Sequence, residues 1–258
     1  SSAYCCLTSD LLAGGSMVAA KRIGMITPSS NTMVEPITSA MTAHLLDDLS
    51  VHYARIPVTR ISLDQGSLDQ FEREAMLSAA RLLADAKMDV ICWNGTSGGW
   101  KGADADRAIC EAITAETGIP STTGTLAQFE AFRAHGIKKY ALAVPYLADV
   151  RDAILKVYAG EGFECVNNAH LGISTNFEFA ELSLETLKDL ALRADHPDAE
   201  AVVIICTNLA AARVVEELEQ QLGKPVHDSL VVSLWHPLKM IDWQTPIPGW
   251  GRLMAEFG

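Results

Sequence analysis

From Lys21 onward, short β-rich runs alternate with longer segments of helical period, and that alternation restricts the chain to a parallel sheet covered by helices. The candidate strands are Arg22 to Thr27, Ser50 to Ile56, Met88 to Asn94 and Pro120 to Thr123, then Lys138 to Val144, Phe163 to Leu171, Ala201 to Cys206 and Pro225 to Ser229. Thr117-Gly-Ile-Pro120 and Leu222-Gly-Lys-Pro225 each end a helix on glycine and open a strand on proline, a weak internal repeat. The expected fold class is α/β: two similar lobes, each a four-stranded parallel sheet flanked by helices. Their strand carboxyl ends would face one cleft, where open parallel sheets take their ligands. The expected division is a flexible extension over 1–20, an amino-terminal lobe over 21–135 and a carboxyl-terminal lobe over 136–258, the chain end packing back on the first lobe.

Two apolar stripes fit helices lying on such sheets: Leu68, Phe71, Ala75, Ala79, Leu82 and Leu83 in the first lobe, and Val150, Ala153, Ile154, Val157 and Tyr158 in the second. Both read as core. The net charge of -12 argues against nucleic acid as a partner, since no basic stretch gathers phosphates. No apolar stretch reaches the roughly 20 residues that span a bilayer, so no membrane is expected. The cysteines at 5, 6, 92, 110, 165 and 206 are irregularly spaced, which fits a reduced cytoplasm. His170, His196, His227 and His236 form no HxxxH or HExxH set, so no metal is expected. The first twenty residues, with Cys5 and Cys6, lack the charged start and apolar centre of a secretory signal.

Three predicted strand ends carry short polar loops: Thr27-Pro-Ser-Ser-Asn-Thr32, Asn94-Gly-Thr-Ser-Gly-Gly99 and Cys206-Thr-Asn208. Opening into helices, they would aim backbone N–H groups and hydroxyls at an anion such as a carboxylate or an enediolate. The plainer alternative is that Ser29, Thr96 and Thr207 are N-caps. Neither GxGxxG nor GxxxxGK[ST] occurs, so no phosphate motif is present. Cys206 closes one apolar run where the comparable earlier run reaches Gly95, so one lobe offers a thiol and the other nothing. A free cysteine on such a run is by default buried and inert. A strand exit ahead of a helix would instead lower its pKa and expose the sulfur. Cys92, inside a strand, reads as structural. Tyr146, after Val144-Pro145, is placed to donate a hydrogen bond into the cleft. Asn176 follows the sixth strand and suits a carboxylate oxygen, the alternative being a local turn. His236 reads as a surface or packing residue, and Trp93, Trp100 and Met33 as an aryl-accepting wall or ordinary core.

With these residues in place, Lys21 to the carboxyl end resembles the aspartate/glutamate racemase superfamily, in the branch holding arylmalonate decarboxylase and maleate cis-trans isomerase. Pro28-Ser-Ser-Asn-Thr32 with Glu35, and Asn176, are similar to the isomerases; Gly95-Thr-Ser97, Trp100-Lys-Gly102 and Pro248-Gly-Trp-Gly-Arg-Leu253 are similar to the decarboxylase. The racemase and isomerase pattern places a first catalytic cysteine where this chain has Gly95, whereas the decarboxylase pattern has glycine there and cysteine at the second position. The resemblance therefore implies a cofactor-independent carboxy-lyase acting on a malonate-type dicarboxylate. Cys206, Tyr146, Thr96 and Ser97 would be catalytic, and Ser30, Asn31, Gly95, Asn176, Thr207 and Asn208 would bind the substrate. A thiol restored by Gly95→Cys would add racemase-like proton exchange. The alternatives are a maleate-type isomerase in which Cys206 adds to a double bond, an aspartate, glutamate or hydantoin racemase, and a non-catalytic carboxylate-binding protein. A homodimer is the assembly the resemblance implies.

Overall fold

The structure, a computed structural model, describes residues 20–64, 66 and 73–256. The extension up to Ala19, with Cys5 and Cys6, and the stripe residues Leu68 and Phe71 lie outside the described residues. The first sheet contains β1 (Lys21–Pro28), β2 (Leu49–Ile56), β3 (Val90–Trp93) and β4 (Ser121–Thr123), all parallel in the order β2-β1-β3-β4. The second repeats that plan with β5 (Lys139–Val144), β6 (Glu164–His170), β7 (Ala201–Ile204) and β8 (Val226–Asp228) in the order β6-β5-β7-β8. All eight expected strands form. Six are shorter than expected, and at the site β3 stops before Asn94 and β7 before Ile205, so both site loops begin earlier than the apolar runs suggest.

In the first lobe the helices are α1 (Val34–Thr42), α2 (Arg73–Asp85), α3 (Gly98–Lys101), α4 (Ala103–Thr117) and α5 (Gly124–Ala134). The chain continues with α6 (Ala148–Gly160), α7 (Asn176–Phe179), α8 (Leu184–Ala194), α9 (Val215–Leu222), α10 (Ser229–Met240) and α11 (Arg252–Ala255). Gly118 and Gly223 close α4 and α9 in the left-handed region, φ 73° and 70°, where a side chain would be strained. These are the two Gly-x-Pro turns of the repeat. On α2 the buried face is Met76, Leu77, Ala79, Ala80 and Leu83, while Leu82 turns to solvent at 68% exposure, a correction to the expected stripe. Val150, Ile154 and Tyr158 of α6 are buried as expected, with Ala153 and Val157 partly so.

Two apolar cores result. The larger joins α2, α4 and α6 to both sheets. The other covers the opposite face of the first sheet, where Ile23 and Met25 of β1 and Val34, Ile37 and Met41 of α1 meet Leu230, Val231, Leu234 and Leu238 of α10. Leu253 and Met254 of α11 join that cluster. The lobes are latched at the cleft: Asn176 N donates to the Thr59 carbonyl (3.1 Å) and Ile61 N to the Ser174 carbonyl (2.9 Å). Away from it, Nη2 of Arg107 in α4 donates to both carboxylate oxygens of Glu161 at the end of α6, at 2.7 and 2.6 Å. This charge-assisted contact ties α4 to the end of α6.

Candidate active site

Gly95 and Cys206 each lie two residues beyond the end of equivalent strands, β3 and β7, which is what brings the two loops to one edge of the molecule. Ser229, the first residue of α10, fixes the second loop from below. Its hydroxyl accepts the Cys206 N–H at 3.1 Å and donates to the Ile204 carbonyl at 3.2 Å. The Asn208 N–H points at the sulfur, 3.3 Å away. Tyr146, just past β5, hydrogen-bonds both the Thr96 hydroxyl, at 3.1 Å, and the Cys206 sulfur. Thr96, Tyr146 and Cys206 thus form a chain from one lobe's loop to the other's. The Tyr146 ring is held edge-on by Trp100 and Phe179, with centroids 5.5 and 5.4 Å away.

The expected exposed, acidified sulfur is not found. Cys206 is 2% exposed, and burial pushes its thiol up to about 12, against the opposing pull of the Tyr146 hydroxyl and the Asn208 N–H. The loop after β7 runs into a short 3-10 turn (Ala211–Val214) rather than an α-helix, so the helix end invoked to acidify it is missing. At neutral pH the group is a thiol, a proton donor rather than a ready nucleophile. Burial likewise holds the Tyr146 phenol well above its ordinary value, so it too is a donor.

The hydroxyl and amide side chains divide into two groups. Ser97 sits beside Thr96, its Oγ accepting the Trp93 indole N–H at 3.1 Å, which leaves its own proton to donate elsewhere. Ser30, Asn31, Asn176, Thr207 and Asn208, the expected substrate-binding residues, are hydrogen-bonded to one another and to backbone between the two lobes. Asn31 Nδ2 donates to the Thr207 carbonyl (3.0 Å) and to its hydroxyl (3.3 Å), while Asn31 Oδ1 accepts the N–H groups of Met33 and Val34 at 2.9 Å. The Thr207 hydroxyl donates to the Asn94 carbonyl at 3.3 Å. Asn208 accepts from Thr32 N (2.9 Å) and donates to the Asn176 carbonyl (2.7 Å). Asn176 Nδ2 donates to Ser30, whose hydroxyl donates to the Val58 carbonyl at 2.6 Å. The N-cap alternative fails for all three residues it named. Asn31 rather than Ser29 satisfies the start of α1, α3 has no side-chain cap, and Thr207 opens no α-helix.

Gly95 is glycine for a steric reason. A Cβ there would overlap Cζ2, Cε2 and Nε1 of Trp93, so the indole already occupies its side-chain space. Gly95→Cys therefore requires Trp93 to move, a condition the sequence did not disclose. Trp93 and Trp100 belong to the same core cluster as Tyr146, whereas Met33 packs on the other core, so the three do not make one wall. Cys92 is buried inside β3, and His236 is a packing residue whose Nδ1 lies 2.8 Å from the Thr122 hydroxyl.

Sequence reasoning missed Asp228 and Ser229. Asp228 is fully buried and caps α10 through Oδ1, which accepts from Leu230 N (2.8 Å) and Val231 N (3.2 Å). Burial pushes its carboxyl up to about 7. An Asp-Ser pair directly before the apolar run Leu230-Val-Val232 was the available signal, an N-cap signature in plain view.

The arylmalonate decarboxylase family model matches residues 23–254, nearly the whole described chain. This chain belongs to the arylmalonate decarboxylase family. It is 29% identical over 238 residues to the arylmalonate decarboxylase of Bordetella bronchiseptica, covering 89% of this chain and 98% of that one. Maleate isomerase of Alcaligenes faecalis is 26% identical over 250 residues, covering 91% and 96%. Among solved structures, a glycine-to-cysteine, cysteine-to-serine double mutant of arylmalonate decarboxylase in the liganded form superposes with TM-score 0.82 at 27% identity, covering 92% of this chain and all of that one. Relatives of both activities are thus similar to this chain to nearly the same degree, and both are enzymes acting on small carboxylates.

Proposed function

We propose that the protein is a cofactor-independent decarboxylase of a malonate-type dicarboxylic acid. The observation that carries this reading is an asymmetry between equivalent strand-end loops: one holds a sulfur, kept as a thiol and hydrogen-bonded to Tyr146, while at the matching position of the other the side-chain space is filled by a tryptophan ring rather than by a second thiol. Two-base proton exchange has no second base there. Addition of Cys206 to a double bond needs a thiolate, which burial disfavours. The two asparagines that would clamp a maleate, Asn31 and Asn176, are engaged in the inter-lobe clasp.

In the proposed reaction one carboxylate of the substrate lies against the hydroxyls of Thr96, Ser97 and Tyr146. The bond from the α-carbon to the other carboxylate breaks, CO2 leaves, and the electron pair remains as an enediolate on the retained carboxylate. Preset donors favour that charge more than the starting carboxylate, which lowers the barrier. The Cys206 S–H then protonates the α-carbon, and the resulting thiolate, which burial makes strongly basic, regains its proton from solvent. Thr207 and the clasp asparagines hold the Cys206 loop against the first lobe and so set the distance between proton donor and carbanion.

Proton NMR on parallel incubations with a substituted malonate and with maleate tests the reading. Decarboxylation of the malonate is expected; conversion of maleate to fumarate without CO2 release would overturn it in favour of an isomerase.

A further inference from the structure

Trp93 is the last residue of β3, and its side chain lies on the same face as Ile91, in the core beneath α2. Instead of stopping there, the indole folds over the strand end until it meets Ser97 through Nε1 and fills the side-chain space of Gly95. The same ring lines a cavity of about 170 Å³ between α2 and α4, whose other walls include Met76, Lys101, Asp106 and Ile109. Ser97 belongs to both places: it lines that cavity and stands next to Thr96 in the hydroxyl cluster. The indole and the Ser97 hydroxyl therefore stand between the cavity and the Gly95-Thr96 loop, whose Thr96 bonds Tyr146.

From this juxtaposition we infer that Trp93 is a specificity-determining residue, a partition that limits the size of the group a substrate's α-carbon carries on the Gly95 side. The inference rests on the diacid reading above. An indole is rigid and nearly flat, and buried here at 1% exposure with its N–H satisfied, it does not swing aside cheaply. A shorter apolar side chain removes the barrier and joins the 170 Å³ cavity to the cleft, giving a larger substituent room among Met76 and Ile109. Trp93 also positions Ser97: by donating to Oγ it directs the serine proton away from itself and toward the bound carboxylate.

The test has one arm that needs no substrate and one that does. In the first, Gly95→Cys is made in the wild-type and Trp93→Leu backgrounds and melting temperatures are compared. The indole's position predicts that Gly95→Cys lowers the melting temperature by several degrees beside Trp93 and by clearly less beside leucine. Equal losses in both backgrounds would place the ring elsewhere and overturn the partition. In the second arm, malonates and 2-substituted maleates carrying either a methyl or a benzyl group are compared, with kcat/KM read where turnover occurs and thermal stabilisation where it does not. Trp93→Leu should raise the benzyl-to-methyl ratio by about tenfold or more, the scale on which apolar pockets discriminate. An unchanged ratio in a folded variant would overturn the specificity role, whichever acid the wild-type enzyme consumes. Turnover confined to maleates would sink the decarboxylase reading, while a raised ratio among those same acids would still support the partition. Should Trp93→Leu not fold, Trp93→Phe, which keeps an apolar ring and loses the bond to Ser97, reads the same ratio.

Discussion

Replacing Tyr146 with phenylalanine deletes one oxygen from the site and almost nothing else. The ring keeps its edge-on contacts with Trp100 and Phe179, so the apolar packing survives. What is lost is the hydrogen bond to Thr96 at 3.1 Å and the one to the Cys206 sulfur. A neutral hydrogen bond contributes about 0.5–1.5 kcal/mol to stability, which corresponds to a few degrees in melting temperature for a domain of this size. The catalytic loss is expected to be larger. A donor aimed at developing negative charge is worth about 2.7–4 kcal/mol, or about 10²–10³ in kcat. The thiol would also become a weaker acid, because the Tyr146 hydroxyl pulls its pKa downward in the wild type. Both effects point the same way and fall on kcat rather than KM, since they operate in the transition state. Steady-state CO2 release with calorimetry on the same preparation separates activity from folding. A folded Tyr146→Phe enzyme with kcat within about threefold of wild type would refute the placement of Tyr146 as charge-stabilising donor.

Three further substitutions probe other parts of the account. Cys206→Ala should retain binding of a diacid, seen as thermal stabilisation, while kcat falls by about 10²–10⁴, the usual worth of a general acid. Asn208→Ala leaves the Thr32 N–H and the Asn176 carbonyl without their partner, and should destabilise the protein by about 1–3 kcal/mol in denaturant titration. Asp228 binds its proton more tightly in the folded protein, its carboxyl lying near 7 against an ordinary 3.8. It therefore contributes a loss of stability as pH rises through that window. Asp228→Asn keeps the oxygen that caps α10 and removes the charge, so its advantage over wild type should grow from pH 4 to pH 7 in paired melting curves. Parallel curves would contradict the burial of that charge. His227, held below its usual value by burial, tilts the curve the other way in both proteins and cancels in the difference.

Much of the fold was legible because it depends on local pattern. The apolar runs within Met88 to Asn94 and Ala201 to Cys206 read as parallel strands, which form over Val90–Trp93 and Ala201–Ile204, and Gly118 and Gly223 mark helix ends from sequence alone. Leu82 was misjudged because an apolar residue at helical spacing need not face the sheet when Met76 and Leu77 already cover it. Tyr146, Thr96 and Cys206 were identifiable as neighbours from strand-end topology. Their chemistry was not, because a thiol's acidity depends on how much protein encloses it, and that enclosure comes from segments distant in the chain. The same holds for Ser30, Asn31, Asn176 and Asn208: residue type suggested ligand contacts, but whether an amide faces a ligand or another amide is decided by how the lobes meet. Trp93 illustrates a third limit. Its presence near the site was visible, yet its occupation of the Gly95 side-chain space is a tertiary fact that no spacing rule conveys.

The central claim is that a single sulfur delivers the proton to one face of the substrate carbon. It is tested most directly in D2O, with a malonate whose α-carbon bears two different groups, by resolving the enantiomers of the product and locating its deuterium. The account predicts one enantiomer, labelled at the α-carbon. A racemic product from the wild-type enzyme would contradict it.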